Sequence, residues 1–96
     1  MIKHIVSFKL KDTDKEGNLQ QLKSELDRLP EVIPGVVAFE TGKNVSDRSS
    51  AYDLVLVSEF ASTNDLDVYR NHPEHLKVLD LIHQVVADTV VVDYEV

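Results

Sequence analysis

Leu54-Val55-Leu56-Val57 is the most restrictive stretch of the chain. Successive side chains of a strand point to opposite faces, so this run puts aliphatic groups on both sides of whatever sheet it joins. Both faces of that sheet therefore need a cover. Helices of the same chain supply one, and a chain of 96 residues has little left for the other. At this length folding buries only roughly 60 to 70% of the unfolded surface, so a second subunit would add core that one chain lacks. Residues 1–96 are read as a single domain.

The flanking segments define the sheet's partners. Ile2 to Lys11 alternates, with Ile2, His4, Val6, Phe8 and Leu10 on one side and Lys3, Ile5, Ser7, Lys9 and Lys11 on the other, the pattern of a first strand. Thr13-Asp14-Lys15-Glu16 has capping-box spacing, and Leu19, Leu22, Leu26 and Leu29 recur at three and four, predicting a helix from about Asp14 to Leu29 that Pro30 ends. The Pro34-Gly35 turn leads into a second strand from Val36 to Lys43, and the polar stretch Asn44 to Ser50 is a loop. Tyr52 to Phe60 is the third strand. Ser62 caps a short helix through Leu66 and Tyr69, Asn71-His72-Pro73 interrupts it, and a longer helix runs to about Ala87. Thr89 to Val96, rich in Val, closes the chain as a strand.

The order β-α-β-β-α-β predicts a ferredoxin-like α+β fold, an antiparallel sheet with both helices on one face. The other face, expected to carry Ile5, Val55, Val57 and Val91, is then bare. Exposing it is costly, since burying an aliphatic side chain fully is worth about 1.5 to 3 kcal/mol. The sequence predicts a homodimer through this face.

Charge and composition remove several function classes. Seventeen acidic against ten basic residues give a net charge of −7, which opposes binding to nucleic acid and to anionic lipid. The absence of Cys excludes disulfides, zinc-thiolate sites and a cysteine nucleophile. No apolar run approaches a membrane span, and the start, Met1-Ile2-Lys3-His4-Ile5, alternates instead of forming a signal-peptide block. The expected location is cytoplasmic, with no nucleic-acid or membrane partner.

Several segments together carry a family resemblance: Ile2-Lys3-His4-Ile5-Val6, Ile33-Pro34-Gly35, Tyr52-Asp53-Leu54-Val55-Leu56, Tyr69-Arg70-Asn71-His72-Pro73-Glu74-His75 and Val92-Asp93-Tyr94. They span nearly the whole chain and resemble the stress-responsive dimeric α/β-barrel (Dabb) domain, with the H-P-x-H segment the most specific part. The resemblance implies two ferredoxin-like subunits packed sheet to sheet as a dimeric α/β barrel. It also implies two classes of function. One is a noncatalytic, stress-associated or small-ligand-binding protein, and the other is a cofactor-independent cyclase or isomerase acting on a carbonyl compound. In a plant polyketide cyclase of this family a Tyr and a His do the chemistry; by motif match they correspond to Tyr69 and His75. A His and a Tyr of that cyclase's pocket correspond here to Leu54 and Leu26. Some relatives hold Mg²⁺ on backbone carbonyls, which here would lie near Pro30, Ile33 and Val36 and leave no side-chain signature. No cofactor is expected.

The residues themselves support a cleft. His75 shares a helical face with Leu79, Ile82 and Val86 and so points toward the sheet, in the first helical turn. The macrodipole there favours neutral imidazole, able to accept a proton as a general base. Tyr69 is the expected polarising group, and His4, His72, Phe8, Leu54 and Leu56 are the expected ligand contacts. Each has a plainer reading beside this one. His72, just before Pro73, serves as a helix-entry residue; His4 and His75 satisfy each other or the backbone; Tyr69 is core with a satisfied hydroxyl. His83 is expected at the surface or an interface.

Overall fold

The computed structural model describes residues 1–96. The chain runs β1 (Ile2–Leu10), α1 (Lys15–Val32), β2 (Val36–Lys43), β3 (Leu54–Phe60), α2 (Thr63–Asn71), α3 (Pro73–Val85) and β4 (Val86–Glu95). The four strands form one antiparallel sheet in the order β2-β3-β1-β4, and the helices share one face of it. This is the ferredoxin-like α+β fold. No helix is long and apolar enough to cross a membrane.

The alternation of β1 sorts the chain into two layers. Ile2, Val6, Phe8 and Leu10 turn toward the helices with Leu54, Leu56 and Phe60 of β3. Against them lie Leu19, Leu22, Leu26 and Leu29 of α1, Ile33 just beyond it, Leu66 and Tyr69 of α2 and Val78 of α3. The opposite face carries Ile5 level with Val57 and Val92, and Ser7 level with Val55 and Val90. One expectation is corrected here. Val91 stands opposite Val6 and so belongs to the helix side of the sheet, while Val90 and Val92 join the open face. With a period of two, choosing Val91 for the open face displaced the whole strand by one residue.

Element ends differ from the sequence reading for local reasons. Helix α1 continues through Pro30 to Val32, because the Ile33 N–H still closes on the Leu29 carbonyl at 2.9 Å and Ile33 is buried. The capping box at Thr13 does not form. Asp14 caps instead with φ 47°, in the left-handed region and without a side-chain cap bond. Its carboxylate lies over Gly17, where a Cβ would come within 2.9 Å of an oxygen. The Asn18 side chain ties this entry by donating to the Thr13 carbonyl at 3.1 Å. Gly35, with φ 88°, makes the left-handed turn into β2 that a side chain would strain.

Strand β3 starts at Leu54, two residues later than expected, because Asp53 is used otherwise. Its N–H donates to the Phe8 carbonyl at 2.8 Å, and its carboxylate accepts from the Leu10 N–H at 2.8 Å. Helix α3 ends at Val85 and β4 starts at Val86 with no loop between, earlier than the expected Ala87 and Thr89. Valines at both positions favour the extended backbone.

Candidate functional site

Between α3 and the β1–β4 half of the sheet lies a cavity of about 690 Å³. Its apolar wall comes from Val6, Phe8, Leu26, Leu56, Leu76, Leu79, Ile82 and Val91, and its polar groups are His4, Arg70, Asn71, His75, His83, Thr89 and Asp93. Val91 is on the helix side of β4 and still 51% exposed.

His4 is buried, and the register sets it directly opposite Asp93. Its Nδ1 pairs with the Asp93 carboxylate. A carboxylate only accepts, so Nδ1 carries the hydrogen and Nε2 is left as the free ring nitrogen. His75 enters from the first turn of α3. The backbone carbonyl of Arg70 accepts from its Nδ1 at 2.9 Å, which again leaves Nε2 free. Burial holds the His75 pKa below the usual imidazole value, with the nearby His4 and Arg70 pushing the same way and the bond to the Arg70 carbonyl opposing. Desolvation thus does what the sequence reading assigned to the helix dipole. The result is a neutral base at neutral pH.

Tyr69 lies behind the two histidines. Its ring centroid is 4.6 Å from that of His75, 6.1 Å from His4 and 5.2 Å from Phe60. It is fully buried, does not line the cavity, and its hydroxyl has no hydrogen-bond partner. Burial pushes its pKa far up, so the phenol stays protonated. Such an orphan group costs about 1 to 3 kcal/mol unless something pairs with it.

His4, Phe8 and Leu56 line the cavity together with His75, as the sequence reading placed them. His72 and Leu54 do not. The His72 ring accepts from the Glu74 N–H at 3.1 Å, capping α3 ahead of Pro73. Leu54 is a core residue at the edge of a smaller hollow of about 280 Å³ with Ser7 and Tyr52. Leu26, apolar where the cyclase carries a Tyr, forms part of the cavity wall. Asp93 escaped the sequence reading as a site residue, because its meeting with His4 depends on pairing the first strand with the last. Once those strands are paired, alternation alone puts the two on one face.

Comparisons with known proteins agree with this architecture. An uncharacterized protein of Streptomyces coelicolor is 32% identical over 108 residues, covering 99% of each chain. The stress-response A/B barrel domain-containing protein DABB1 of Arabidopsis thaliana is 28% identical over 98 residues; the match takes in 98% of this chain but 46% of that protein, so the chain spans under half its length. A crystal structure from Bacteroides fragilis, described as a dimeric protein of unknown function with a ferredoxin-like fold, superposes with a TM-score of 0.90 at 30% identity, covering 99% of this chain and 95% of that one. The profile of the stress responsive A/B barrel domain matches residues 2–96, and the chain belongs to that family.

Proposed function

We propose that the protein is a homodimer that takes up, in each subunit, a small molecule with an apolar body and a hydrogen-bonding head. The observation that carries this reading is the convergence of His4, His75 and Asp93 on a cavity otherwise walled largely by aliphatic and aromatic side chains. A concave pocket of this size, with an apolar wall and polar groups converging on it, is the usual form of a small-molecule site. The dimer rests on the open sheet face, where Ile5, Val55, Val57, Val90 and Val92 cluster, and on the likeness to a structure described as dimeric. Covering these partly exposed side chains is worth about 1 kcal/mol each.

A second reading, proton transfer without a cofactor, is favoured by one observation: both imidazoles are fixed at Nδ1 and keep Nε2 free. In this reading His75 Nε2 takes a proton from the carbon next to a ligand carbonyl, and the C–H electron pair moves into an enolate. Return of the proton from imidazolium, after exchange with solvent, completes the cycle.

The test is deuterium incorporation at the carbon between the carbonyls of simple β-dicarbonyl compounds in D₂O. Proton transfer predicts enzyme-dependent exchange that rises with pH as His75 loses its proton and falls on the order of 100-fold in His75→Ala. Exchange at the uncatalysed rate, with binding of the same compounds intact, leaves the binding function and removes the catalytic one.

A further inference from the structure

Strand β4 is bare on more sides than any other strand. It lies at the sheet edge and pairs only with β1. On its helix side Val91 is exposed, and on its open side Val90, Val92 and Tyr94 are 48%, 54% and 41% exposed. Few side-chain bonds hold it. Asp88 accepts from the Tyr52 hydroxyl near one end, and Asp93 pairs with His4 near the other. A strand with one ladder, a cavity between it and α3 and both faces wet belongs to the less protected part of a fold.

Asp93 is placed so that this matters to the cavity. Its two neighbours in the chain, Val92 and Tyr94, face the open side, level with Ile5 and Lys3, while Asp93 faces His4. Covering Val92 and Tyr94 therefore fixes the strand in the position that aims Asp93. We propose that Asp93 is a positioning residue for His4 whose alignment the second subunit secures, so that the cavity is complete only in the dimer. This rests on the homodimer and cavity proposed above. The open face, which takes no part in lining the cavity, controls it through β4. By linkage, a compound that fills the cavity tightens the dimer by the same factor by which the dimer tightens its binding.

The test is NMR of ¹⁵N-labelled protein at concentrations on both sides of the dimer dissociation found by sedimentation, repeated on Val57→Asp. Val57 lies on β3, one strand removed from β4 and outside the cavity lining, and dilution of the native chain controls for any effect of the substitution carried within the subunit through Ile5. Asp93→Asn identifies the His4 Nδ1–H resonance. In the monomer, that resonance should disappear and β4 amides should exchange at least about 10-fold faster, while the β1–β3 ladder stays protected. If Val57→Asp does not fold, dilution of the native chain decides. A monomer that keeps the resonance and the β4 protection overturns the coupling and leaves the dimer standing. A chain that sediments as a monomer at every concentration overturns both.

Discussion

Tyr69 carries a buried hydroxyl with no partner, and that decides what its removal should do. In Tyr69→Phe the apolar ring contacts remain and the unpaired group goes, so melting temperature should hold or rise, by no more than about 1 kcal/mol in stability. Affinity for a cavity ligand should hold in the same variant, because the hydroxyl lies off the cavity wall. A stability loss above about 1 kcal/mol would show that the hydroxyl is paired in the free protein. His75 gives a pH signature. Burial holds its pKa low in the fold, so the unfolded chain binds the proton more readily. Its contribution is fully present above about pH 6.5, the unfolded value, and is lost as pH falls through that value toward the lower folded one. Stability curves from pH 8 to pH 5 should therefore fall less steeply for His75→Gln than for the native chain. The place of His75 on the cavity wall was readable from helical spacing, whereas Tyr69, expected from the family motif as the polarising group, lies off that wall. Asp93 was not readable, because its role comes from a partner 89 positions away in sequence.

The elements were legible where signals were local. Ser62 was expected to cap α2, and its Oγ accepts from the Asp65 N–H at 3.2 Å. His72-Pro73 was expected to break the helix, and His72 ends α2 and caps α3. Thr13 had equally good spacing and failed, because Asp14 takes the cap position in a left-handed conformation that the motif does not encode. The two threonine and serine sites thus make a matched pair. Ser62→Ala should cost about 1 kcal/mol in chemical denaturation and Thr13→Ala less than about 0.5 kcal/mol. Equal costs would mean that the two caps are alike in solution. The register of β4 was beyond local reading for another reason. Four valines in the five residues Val86 and Val90 to Val92 with Thr89 offer no polar mark to tell one face from the other, and Asp93 opposite His4 supplies it.

At the scale of the molecule, two-sided strands explain why a 96-residue chain is read as half of a larger core. The helices cover one face of the sheet and leave the valines of the other uncovered, and the proposed dimer would close over them. In that dimer the same edge strand would serve both the contact and the cavity. The central claim is that a small molecule binds among His4, His75 and Asp93, and the four histidines provide a built-in reading of it. Their ring signals can be followed by ¹H–¹³C NMR while small neutral aryl ketones are added. The account predicts saturable shifts of His4 and His75, with His72 still because its ring caps α3 outside the cavity. Shifts confined to His72, or none in any ring across such a series, would contradict it.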